Sequence, residues 1–137
     1  MTSKVIYEGG LRTVATHLFS GSVIETDAPL DNQGKAERFS PTDLVATALA
    51  SCMCTVMGIY ARNHGINIDG MSCEVEKIMV ANPRRIGEVK IIMTFPKDQL
   101  YSEKDKTVLE RTANSCPVLE SLHPECKKTV TFIWPNV

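Results

Sequence analysis

Residues 40–63 read SPTDLVATALASCMCTVMGIYARN, and the arrangement of the remaining chain follows from this stretch. Ser40 is a capping residue type, Pro41 suits the first helical position, and Asp43 stands three residues after the cap. The segment therefore predicts a helix from Pro41 to about Asn63, stopped by Gly65. Leu44 to Ala61 runs 18 residues without a charge, closed by Asp43 and Arg62. That length touches the lower limit for a membrane span. Ala, Ser, Thr, Cys and Gly, however, outnumber the strongly apolar residues. We read it as a helix buried on most of its circumference, because such helices lack a polar face.

Working outward, residues 3–8, 11–18 and 22–26 carry β-branched and aromatic residues. Gly9-Gly10, Ser20-Gly21 and a stretch holding Pro29, Asn32 and Gly34 separate them, which predicts three strands in a meander. Beyond the helix, strands are expected near 68–81 and 86–96, broken by Asn82-Pro83. Ser102 and Asp105 repeat the cap pattern for a second helix ending near Asn114. A short helix from Pro117 to Leu122 and a last strand, Lys127–Trp134, follow. The order βββ-α-ββ-αα-β, with most strands directly consecutive, predicts an α+β domain with antiparallel sheet around the long helix. One domain spanning residues 1–137 is expected. A domain of this size can hardly bury such a helix on all sides, which predicts an identical partner subunit.

The bulk numbers exclude several classes. The 15 basic and 16 acidic residues nearly cancel and are interspersed, so no nucleic-acid partner is expected. The start, MTSKVIYEGG, lacks the apolar run of a secretory signal. Five cysteines are an odd number and their spacings form no zinc pattern, so reduced thiols in the cytoplasm fit best.

Those thiols are the chemically interesting residues. Cys52 shares a helical stripe with Val45, Ala48, Leu49, Val56, Ile59 and Tyr60. On spacing alone it reads as a small core hydrophobe. Cys54 points about 200° away around the helix, which makes a Cys52–Cys54 disulfide sterically implausible. Cys116 precedes Pro117 and so takes a cap position, where unpaired N–H groups favour a thiolate. It reads equally as an ordinary cap. Cys73, on a predicted strand, and Cys126 read as packing residues. His123 and Cys126 are two ligands, too few for a metal site. His17 and His64 have no predicted partner.

Two segments together carry a resemblance. SPTDLVATALASCMCTVM resembles the central helix of the OsmC/Ohr family, whose reactive Cys aligns with Cys52. SCPVLESLHP is similar to the family's second motif, C-P-[YV]-S, and puts the second thiol at Cys116, with Leu119 in place of the motif Ser. The element order also resembles that family's fold. The resemblance implies an intertwined homodimer that reduces organic hydroperoxides without metal or bound cofactor. Cys52 would attack, Cys116 would resolve, and an external thiol or dithiol would restore the pair. The family Glu that follows the helix-start Pro is replaced here by Thr42, which points to a divergent, YhfA-like branch. The family Arg, found after Gly-Gly, corresponds to Arg12, one residue late, as the thiolate stabiliser; Arg38 is the substitute. Two other readings stand beside the peroxidase, and the missing Glu favours the first. One is a non-enzymatic OsmC-fold protein binding a small apolar ligand at the dimer interface, and the other is a thiol redox sensor.

Overall fold

The structure, a computed structural model, describes residues 1–135 and resolves into two compact units, residues 1–45 and the chain from Ala46 onward. In the first, β1 (Ser3–Gly9), β2 (Arg12–His17) and β3 (Val23–Asp27) form the expected antiparallel meander in sequence order. The β1–β2 turn holds Gly9, Gly10 and Leu11 at φ of 86°, 62° and 63°, a left-handed course that glycine follows without Cβ strain. This turn sets Arg12 at the head of β2. After β3 the chain doubles back so tightly that a Cβ on Gly34 would meet the Ala28 carbonyl oxygen at 1.6 Å. The fold-back returns residues 37–39 to β3, where the Asp27 N–H donates to the Phe39 carbonyl.

Helix α1 (Pro41–Asn63) starts as its sequence requires. The Asp43 N–H donates to Ser40 Oγ and the Ser40 N–H donates to Asp43 Oδ2, both at 3.0 Å, a reciprocal capping box. Its buried residues are Ala46, Leu49, Ala50, Met53, Met57 and Ala61. The expected stripe is therefore displaced by one residue, about 100° around the axis. Leu49 belongs to both stripes, while Val45 and Ile59 are 38% and 56% exposed. The chain itself covers one face of α1, where the sequence predicted burial on most of it. By length and composition α1 could cross a membrane. Its buried face instead packs into the protein core.

The second unit holds β4 (Ser72–Val80), β5 (Arg85–Thr94), α2 (Glu103–Ala113), α3 (Pro117–Ser121) and β6 (Lys127–Ile133). Strand β4 begins later than expected because Ile68 to Met71 make a turn, closed by the Met71 N–H on the Ile68 carbonyl. The sheet order is β4-β5-β6. One pair departs from the antiparallel expectation: β5 and β6 run parallel. Parallel neighbours need a long crossover, and the connection from Phe95 to Cys126 contains both α2 and α3. Alternate residues of β5, Val89, Ile91 and Met93, are fully buried and join Leu49, Met53, Met57 and Leu109 in one core. At the end of the sheet Trp134 stacks on Phe95 with centroids 3.7 Å apart, while its Nε1 donates to Glu110 Oε1 at 2.8 Å.

Candidate functional site

Cysteines two residues apart on a helix face different neighbours, and α1 exploits this twice. Cys52 neighbours Cys116, close enough for its thiol to raise the hold of Cys116 on its proton. Cys54 turns toward Cys73 on β4, with the sulfurs 3.2 Å apart. All five cysteines are unbonded thiols. The structure thus brings together the two thiols singled out in the sequence, Cys52 and Cys116. It also reveals a pair the sequence reading missed, having treated Cys73 as packing. The available signal was alternation. Cys73 and Val75 share the half-buried face of β4 while Ser72, Glu74 and Glu76 are exposed.

Cys116 caps α3 as expected, with extended backbone and Pro117 next in line. Its sulfur accepts the Leu119 N–H at 3.4 Å. The electrostatic consequence is nevertheless the reverse of the sequence expectation. Burial pushes the Cys116 thiol up, the Leu119 N–H opposes this, and the neighbouring Cys52 thiol pushes it further up. A helix of five residues aligns few peptide dipoles, and the side chain is entirely buried, so desolvation wins. Cys116 is held as the protonated partner.

Arg12 belongs to the first unit, where it is engaged by carboxylates. Its Nε and one terminal nitrogen each lie 2.8 Å from an oxygen of Asp27, its cross-strand neighbour. Glu25 and Glu37 stand 3.8 and 3.7 Å from the guanidinium. Arg38 lies 3.6 Å from Glu25 and donates to the Glu37 carbonyl. Asp43 spends one oxygen on the capping box, so it is not a free substitute for the carboxylate missing at Thr42. Asp27, buried and fixed by a two-pronged pair, is the arginine partner that sequence reasoning overlooked. It lies 15 positions from Arg12, and only the β2–β3 register joins them. His123 Nδ1 accepts the Glu125 N–H. Among the described residues no group of three or more His, Cys, Asp or Glu side chains could hold a metal ion.

This fold, α+β with a thiol midway along its long helix, is of the OsmC type. Residues 34–131 match the family model described as OsmC-like protein, and the chain belongs to that family. A protein from Psychrobacter arcticus 273-4, provisionally described as osmotic stress induced and a detoxification response protein, is 52% identical, with a TM-score of 0.92 over 96% of this chain and 95% of that one. The organic hydroperoxide resistance protein OsmC of Legionella pneumophila superposes with a TM-score of 0.75 over 97% of both chains at 15% identity. OhrB of Bacillus subtilis, an organic hydroperoxide resistance protein, gives 0.69 over 96% of this chain and 98% of that one at 19% identity. The last two likenesses are of fold alone. No curated protein matches the chain in sequence.

Proposed function

We propose that the protein is a thiol-dependent peroxidase for organic hydroperoxides, working through Cys52 and Cys116. The observation that carries this reading is the closeness of the half-buried Cys52 thiol on α1 to the buried Cys116 thiol that caps α3. A thiol held protonated is a poor nucleophile but a well-placed second partner. Cys52 attacks the terminal peroxide oxygen, the O–O bond breaks, and an alcohol leaves after taking up a proton. Cys52 is then a sulfenic acid. The Cys116 sulfur displaces its hydroxyl, forming the disulfide and releasing water. Two electrons from an external dithiol, or from two small thiols, restore the pair by exchange. No metal or bound cofactor enters these steps. From its place after Gly9-Gly10 we assign Arg12 the role of favouring the Cys52 thiolate, with Asp27 orienting the guanidinium.

We read residues 1–137 as one functional domain acting as an intertwined homodimer in the cytoplasm. The support for dimerisation is apolar exposure. Successive strand residues point to opposite faces, yet Val5, Ile6 and Tyr7 on β1 are 60%, 54% and 63% exposed. Both faces of β1 are thus uncovered, as are Val45 and Ile59 on α1. Exposed large apolar side chains concentrated on one strand in this way suit an interface. The cytoplasmic assignment rests on five free thiols, which suit a reducing compartment.

The test is turnover. With cumene hydroperoxide as substrate and dithiothreitol as reductant, the protein should consume peroxide until the dithiol is exhausted, and Cys52→Ser should consume it far more slowly. Equal consumption by both proteins would refute the assignment. Tight binding of an apolar ligand with no turnover would favour the non-enzymatic reading suggested by Thr42.

A further inference from the structure

We propose that Cys54 and Cys73 are a second redox-active dithiol, independent of Cys52, which a hydroperoxide converts to a disulfide joining α1 to β4. The geometry comes first. The two sulfurs are 3.2 Å apart, on a helix and a strand separated by 19 positions in sequence. Bond formation needs them about 1.1 Å closer, since an S–S bond measures about 2.05 Å. Both residues are only partly buried, and β4 is an edge strand of its sheet, so a small oxidant has access. Cys52 cannot compete for Cys73, because it points about 200° away from Cys54 around α1. The two pairs are therefore chemically separate sites on one helix.

The contact also sets the order of events. Hydrogen bonding from the Cys73 S–H lowers Cys54 to about 7, against the opposing effect of burial. The same hydrogen bond, aided by burial and the charge of Cys54, pushes Cys73 up. Near neutrality Cys54 is substantially thiolate and Cys73 keeps its proton. Cys54 attacks the hydroperoxide, the O–O bond breaks, and the alcohol leaves with a proton from solvent. The Cys54 sulfenic acid is then attacked by the Cys73 sulfur. A disulfide forms as the sulfenic hydroxyl takes the Cys73 proton and departs as water. Two thiols and one hydroperoxide become one disulfide, one alcohol and one water.

The test removes the first pair so that the fate of the Cys52 mechanism does not matter. The Cys52→Ser/Cys116→Ser variant is treated anaerobically with two equivalents of cumene hydroperoxide, alkylated, and mapped by peptide mass. The expected product is a Cys54–Cys73 crosslink with Cys126 still alkylated, and dithiothreitol should reverse it. Full alkylation of both residues, or a Cys54 sulfinic acid beside an intact Cys73 thiol, would overturn the proposal. A second measurement adds Cys73→Ala to that background and follows iodoacetamide labelling of Cys54 at pH 7. Returning Cys54 to its ordinary 9.0 cuts the thiolate from half to about one part in a hundred. The more basic thiolate is intrinsically more nucleophilic, which leaves labelling about sixfold slower. An unchanged rate would contradict the role given to Cys73.

Discussion

Arg12 and Asp27 face one another across β2 and β3 and join through two nitrogen–oxygen contacts of 2.8 Å. The hydrogen bonds from Arg12 hold the Asp27 carboxyl below its ordinary 3.8, against burial, with the Glu37 N–H also bonding it. A carboxyl lowered on folding stabilises the fold above its unfolded value and ceases to do so as pH falls through the folded one. Stability should therefore hold steady above about pH 4 on this account and fall below it. Asp27→Asn should lower the unfolding midpoint by a few degrees at pH 7 and flatten the acid limb. Superimposable acid limbs for the two proteins would show that the pair does not stabilise the fold.

The same pair changes what an arginine substitution tests. Arg12→Met leaves the carboxylate of Asp27, 2% exposed, without its principal partner, so folding as well as chemistry should suffer. Adding Asp27→Asn should return most of the lost stability. Cys52 in the double variant should still be alkylated more slowly by iodoacetamide at neutral pH than in the parent, by several-fold. Restored stability with parental alkylation would leave Arg12 a structural residue, and Arg38→Met would be measured next.

Much of this was legible in the sequence, for identifiable reasons. Helix α1 declared itself through Ser40, Pro41 and Asp43, because a capping box uses residues within one turn. The meander was marked by Gly9-Gly10 and Ser20-Gly21 for the same local reason. What long-range contact decides was hidden. The face of α1 turned to the core depends on Met53 and Met57 meeting β5 and α2, so the predicted stripe fell one residue away. The parallel β5–β6 pair depends on how α2 and α3 return the chain. Cys54–Cys73 and Arg12–Asp27 are set by register and docking, which spacing does not encode.

The capping box predicts its own cost. Ser40 is 1% exposed, and Ser40→Ala removes the acceptor for the Asp43 N–H. The loss should be about 1–2 kcal/mol in urea unfolding, the upper part of the range for such caps. A change below a few tenths would mean that the Ser40 side chain contributes nothing at this terminus.

Dimerisation is testable by light scattering at micromolar concentration, which should report twice the chain mass. Ile6→Glu/Tyr7→Glu places charges on both faces of β1 and should shift the protein toward monomer with its helices intact by circular dichroism. A parent that is already monomeric would remove the interface from the account.

The two thiols of the first pair should separate cleanly by role. Cys116→Ser should still form a sulfenic acid on Cys52, trapped by dimedone. Cys52→Ser should leave Cys116 unlabelled, because burial holds that thiol protonated. Dimedone on Cys116 in the Cys52→Ser variant, at the parental rate, would reverse the assignment.

The central claim is most directly tested by anaerobic thiol counting with one equivalent of cumene hydroperoxide, followed by peptide mapping. Five free thiols should fall rapidly to three, and the missing two should map to a Cys52–Cys116 disulfide. Five thiols remaining, or Cys52 and Cys116 both still alkylated after the peroxide is consumed, would contradict it.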